Sequence, residues 1–142
     1  MKTMKILRNI VVMLVAVLSF NSCSDDPVWK WDSMVWDVES PVQITDGVYN
    51  VSANATVLSF SCQNYSSPWV ESAESNGEYY FPPREADDYH MISADWFKVE
   101  ISGNKLKVVF ETNETEEERP LQLIVTAGDI FYTFKFNQVA NK

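Results

Sequence analysis

Apolar and polar residues alternate along most of the chain after Cys23, and no stretch there keeps a helical period. Three dipeptides punctuate the alternation: Asp46-Gly47, Gly103-Asn104 and Gly128-Asp129. Each suits a two-residue hairpin turn, because glycine takes positive φ without strain. Folding about Gly103-Asn104 sets Ile101 opposite Leu106, Val99 opposite Val108 and Phe97 opposite Phe110. The other face then pairs Glu100 with Lys107 and Lys98 with Val109. Folding about Gly128-Asp129 sets Val125, Leu123 and Leu121 opposite Tyr132, Phe134 and Phe136, with Gln122 against Lys135 and Ile124 against Thr133. About Asp46-Gly47, Ile44 faces Tyr49 and Val42 faces Val51. A slip of one residue would turn each apolar set outward, so these registers are strongly specified.

A further strand is predicted near Thr56 to Cys62, with Leu58, Phe60 and Cys62 on one face, and a short one begins at Trp69-Val70. The total is about seven or eight strands, mostly with one apolar face. Such sheets bury that face on another sheet, so the expectation is an all-β antiparallel β-sandwich. Two regions escape the alternation. One is a Trp-containing tether over 23–40, ahead of a domain over 41–142. The other is a long excursion from Ser72 to Ala94, and loops of that length within compact domains are usually functional or disordered.

The N-terminus has the layout of an export signal over 1–22. Lys2, Lys5 and Arg8 precede an apolar run from Ile10 to Phe20, which is shorter than the roughly 20 residues of a spanning helix. Ser22-Cys23 at its end resembles a bacterial lipobox, which implies cleavage before Cys23 and acylation of its sulfur. Phe20 and Asn21 depart from the usual box. Ser24-Asp25-Asp26 resembles the acidic surface-export signal of Bacteroidetes lipoproteins. The expected location is therefore the outer membrane, lipid-anchored and exposed at the cell surface; two acyl chains anchor stably where one does not. Cys62 is then left without a mate and is expected as a buried thiol that packs like a small hydrophobe.

Charge narrows the partners. The chain carries −9, and losing the three cations of the signal takes it to −12. Such a surface repels phosphate backbones and argues against nucleic-acid binding.

Several residues resemble a known family. Leu58-Ser59-Phe60-Ser61-Cys62, Asn64, Trp69 and Trp96-Phe97-Lys98-Val99 follow one another as in the BACON domain (Bacteroidetes-associated carbohydrate-binding, often N-terminal). So do Asn113-Glu114-Thr115, Arg119, Leu121 to Gly128 and the closing Phe136-Asn137-Gln138. The resemblance spans roughly Tyr49 to Gln138, and the long excursion departs from it. It implies an immunoglobulin-like sandwich and an association with glycan use, although some such domains look like plain spacers.

Catalytic chemistry finds little support. A triad would need His90 as base, yet no Gly-x-Ser-x-Gly elbow is present. The 20 acidic residues make carboxylate pairs inevitable, so a pair alone does not indicate a glycosidase. Asp87-Asp88 lacks the spacing of a Ca²⁺ loop. The expectation is no enzyme, no metal and no cofactor. Aromatic residues are the binding signal, because sugars stack their C–H faces on rings. Trp29 and Trp31 share a side if their segment is extended. The candidate glycan-binding residues are Trp96, Tyr79, Tyr80, Tyr89, Arg84 and His90. Trp96 is placed on the face opposite Phe97, pointing away from the inner core, where the excursion either leaves it as a stacking platform or covers it, with Tyr80, Phe81 and Trp96 packed together to seal a sheet edge. The expected function is recognition of a polysaccharide or host glycan. The alternative is a spacer or partner-binding subunit of an outer-membrane complex.

Overall fold

A computed structural model describes residues 31–83 and 89–142. Eleven strands are found among the described residues: β1 (Trp36–Val38), β2 (Gln43–Thr45), β3 (Val48–Val51), β4 (Thr56–Cys62), β5 (Trp69–Ser75), β6 (Glu78–Tyr80), β7 (Met91–Ser93), β8 (Phe97–Ser102), β9 (Lys105–Phe110), β10 (Arg119–Ala127) and β11 (Ile130–Gln138). They form two open sheets. One has the order β1-β4-β9-β8-β7 and the other β2-β3-β11-β10-β5-β6. The apolar faces meet in a single core, which makes the protein an all-β sandwich.

The turn chemistry decides these registers. Asp46 and Gly47 both hold positive φ, 51° and 77°, as a type I′ turn requires. Gly103 and Gly128 take positive φ at the first turn position, as type II′ turns do. The predicted pairs about Gly103-Asn104 and Gly128-Asp129 are all present. On the core-facing side their apolar members are buried, apart from a half-buried Tyr132, while Val109 and Ile124 on the other side are partly exposed. Ile44 pairs with Tyr49 as expected. However, β2 begins at Gln43, so Val42 lies outside it and the expected Val42–Val51 pair is not in the register, although Val42 still packs against the core; Ile44, on this edge strand, is 50% exposed.

Three further expectations change. There are more strands than seven or eight, because short pairings of three residues cap the sheet edges. One pairing is parallel: β11 runs alongside β3, from Lys135 opposite Val48 to Gln138 opposite Val51. The stretch from Ser72 to Ala94 is not one long loop. β5 continues to Ser75, turns through Asn76 and Gly77 with both φ positive (51° and 85°), and returns as β6, with β7 following at Met91. Asn-Gly is the strongest short hairpin signal, and here it lies beyond the run of apolar residues that marked the start of β5.

The compact unit begins at Asp32. Met34 is 4% exposed, and β1 pairs with β4 through Trp36–Cys62, Asp37–Ser61 and Val38–Phe60. Part of the expected tether is thus a sheet edge. Cys62 is a buried free thiol and donates towards Asn64 Oδ1 at 3.6 Å. Cys23, where lipidation is expected, lies outside the described residues, as does Trp29.

Candidate functional site

Two aromatic surfaces arise at the side of the sandwich where β6 ends the six-stranded sheet. They differ because successive residues of a strand point to opposite faces. Tyr80 lies opposite Ala73, which is buried, so its ring turns inward. It meets Phe97 edge-on, with centroids 5.1 Å apart and planes at 86°. Burial raises the Tyr80 phenol above its ordinary pKa, and a hydrogen bond to the Glu78 carboxylate adds to this. Tyr79 lies opposite Glu74 and turns outward.

Tyr79 and Phe81 then share a side, two residues apart. Their rings are nearly parallel, at 15° with centroids 6.5 Å apart, and they are 66% and 62% exposed. Stacked on each other, they form an exposed aromatic ledge at the end of the outermost strand, with Phe81 one residue past β6.

The inward surface centres on Trp96. Its ring packs on Phe97 at 4.9 Å and on Phe110 at 6.2 Å, so it belongs to the rim of the core rather than pointing away from it. The reason is its position just before β8. There the chain has not yet entered the regular pleat, and the Trp96 carbonyl accepts from Glu111 N at 2.8 Å. Arg119, the first residue of β10, holds its guanidinium 5.5 Å from the Trp96 ring centroid. Such a cation–π contact contributes about 0.5–1 kcal/mol where solvent is near. Tyr80, Trp96, Arg119, Glu78 and Glu118 line a polar cleft of about 300 Å³.

Asn113 shapes one wall of that cleft. It is fully buried. Its Nδ2 donates to the carbonyls of Glu117 at 2.8 Å and Val139 at 3.0 Å, while its Oδ1 accepts from Thr115 N and Thr115 Oγ1. The Asn113-Glu114-Thr115 segment therefore folds its own loop, and buried polar groups of this kind are held by such complete bonding. Gln138 assists from β11 by donating Nε2 to the Glu111 carbonyl at 2.7 Å.

The expected site is therefore divided. Trp96 and Tyr80 come together through Phe97, on the inward side. Tyr79 stands on the outward side with Phe81. Tyr89 and His90 are exposed, and their backbone serves the crossing between sheets. The Tyr89 carbonyl accepts from Val70 N of β5 at 2.7 Å, and the His90 carbonyl accepts from Ile101 N of β8 at 2.8 Å. Arg84, Asp87 and Asp88 lie outside the described residues. Trp31 is exposed at 65%. Arg119 was not among the expected site residues. Nothing local marks it, since its partner Trp96 is reached only after the chain has folded through β9.

The fold and its surface define a β-sandwich module with an aromatic ledge at one sheet edge. No family model and no curated protein matches the chain. Among solved structures, the NMR structure of a protein from Bacteroides thetaiotaomicron is similar at 34% identity, with a TM-score of 0.68. The match covers 84% of this chain and 97% of that one. The chain belongs to the same family as that Bacteroides protein.

Proposed function

We propose that the protein is a non-catalytic, BACON-like surface module that recognises a glycan, held at the outer membrane by a lipid on Cys23. The observation that carries the reading is the Tyr79–Phe81 ledge. Two large rings with nearly parallel planes, both more than 60% exposed, have no packing role that would explain their position. Water disfavours apolar surface of this kind, and clustered exposed aromatics are a common mark of a binding face. An exposed ring at the end of a paired strand fits the flat C–H face of a pyranose. The acidic surface of the chain favours a neutral glycan over a polyanion.

A glycan array probed with the protein tests this. Binding is expected to at least one neutral polysaccharide, and it is expected to vanish in the Tyr79→Ala, Phe81→Ala double variant. That variant should keep its stability within about 0.5 kcal/mol, as surface changes do. A silent array, or a double variant that binds as the parent does, would overturn the reading. Silence together with co-purification of an outer-membrane protein would favour the partner-binding alternative. The anchor is tested separately, by labelling cells with a palmitate analogue. Incorporation should disappear in Cys23→Ala.

A further inference from the structure

The outer face of the six-stranded sheet carries a trough that leads away from the ledge. The registers place five side chains in one row across five strands. Tyr79 on β6 faces Glu74 on β5, Glu74 faces Gln122 on β10, Gln122 faces Lys135 on β11, and Lys135 faces Val48 on β3. Asn137 and Asn50, themselves paired, stand in the neighbouring row. Glu74, Gln122, Lys135, Asn137, Asn50 and Val48 line a hollow of about 390 Å³.

We propose that ledge and trough form one site, and that its ligand is a neutral, unbranched, extended pyranose chain lying across the strands. The proposal rests on the reading that the ledge binds glycan, and it specifies which kind. Spacing is the first argument. Neighbouring strands lie about 4.8 Å apart, so the row presents a new side chain at that interval. This is close to the repeat of a flat, equatorially linked glycan, and successive sugars would meet successive side chains.

Chemistry is the second argument. After the Tyr79 ring the row offers a carboxylate, an amide and an ammonium, with two more amides alongside. Together they supply donors and acceptors for sugar hydroxyls, the Asn50 and Asn137 amide nitrogens being already engaged with Thr45 and Glu118. Gln122 and Lys135 make no side-chain hydrogen bond or ion pair among the described residues. Their polar groups therefore need not break an internal bond to meet a ligand. Glu74 already accepts from Gly77 N through one oxygen, which fixes its carboxylate at the ledge end of the row.

Rigidity is the third. The trough is built on paired strands, so little ordering entropy is lost on binding. Its carboxylate and the acid excess of the chain disfavour a uronate polymer, which is why the ligand class is neutral.

The test is titration calorimetry of the protein with β-1,4-linked gluco-, manno- and xylo-oligosaccharides, from disaccharide to hexasaccharide. In at least one series, affinity should rise with length up to the tetra- or pentasaccharide. Gln122→Ala should weaken the hexasaccharide about tenfold, the scale of one good hydrogen bond, and leave the disaccharide unchanged. The ledge double variant should weaken every length. Affinity independent of length, or a hexasaccharide indifferent to Gln122→Ala, would overturn the trough while the ledge stands. No binding in any series, against an array that reports other glycans, would overturn the trough alone. A silent array would overturn both readings.

Discussion

The protein keeps two groups of aromatic side chains that differ in almost every physical respect. Between the sheets, Phe134 is surrounded by rings. It meets Phe60 at 4.9 Å, Tyr132 at 4.7 Å, Trp36 at 5.2 Å and Phe136 at 6.0 Å, mostly tilted or edge-on. That is the geometry that close packing and ring quadrupoles favour. At the sheet edge, Tyr79 and Phe81 stack nearly parallel on each other and are mostly exposed. Both groups include alternate residues along one side of the chain, Phe134 with Phe136 on β11 and Tyr79 on β6 with Phe81 just past it. What separates them is which side of the pleat they occupy and whether a second sheet lies over that side. Aromatic content alone therefore says nothing about binding; position relative to the opposing sheet does.

The sharpest way to break the comparison is to remove an interior ring. Phe134→Ala deletes a side chain that is wholly buried, and large-to-small aromatic changes at such sites cost about 3–5 kcal/mol. Denaturant melts should show a loss at the upper end of that range, because five rings (Trp36, Tyr49, Phe60, Tyr132 and Phe136) lose a neighbour at once. Glycan affinity of the fraction that stays folded should be unchanged. A variant that melts close to the parent would mean that the core repacks around the hole.

Trp96 stands between the two groups, being half-buried and ringed by core aromatics on one side and Arg119 on the other. Trp96→Ala is expected to cost about 3 kcal/mol, the lower end of the range for large aromatics, because part of the ring already meets solvent. Arg119→Ala should cost about 0.5–1 kcal/mol, the cation–π share alone. If Trp96→Ala melts near the parent but loses glycan, the binding site lies in the cleft and not on the ledge.

How much of this could be read from the chain depends on the residue. The β8–β9 and β10–β11 hairpins were fully legible, because each couples a glycine-containing turn to apolar residues of matching parity. Burial of Cys62 was legible from alternation alone, since it shares a face with Leu58 and Phe60. The β5–β6 hairpin was not read, although Asn76-Gly77 carries the signal. Its return strand, Glu78-Tyr79-Tyr80, has two adjacent aromatics and so no alternation to notice. That omission merged Tyr79 and Tyr80 into one expected site, where the pleat sends them to opposite faces. Trp96 was placed by extrapolating the β8 pleat one residue too far. The Arg119 contact and the parallel β3–β11 pair depend on long-range topology, which local pattern does not carry.

The ledge can also be disturbed without touching its rings. Gly77 holds φ at 85°, and a Cβ added there would meet nothing within 4 Å. Any cost of Gly77→Ala is therefore backbone strain and not collision. Non-glycine residues pay about 1–2 kcal/mol in left-handed conformations, and the open surroundings place this site near 1. The strain falls on the turn that sets Tyr79 opposite Glu74, and the Gly77 amide is also the donor to the Glu74 carboxylate. A modest stability loss should therefore come with a disproportionate loss of glycan affinity, while the interior rings keep their near-ultraviolet circular dichroism. Equal loss of stability with full affinity would show that the ledge does not depend on the turn, and that strand pairing through Ala73–Tyr80 alone holds it in place.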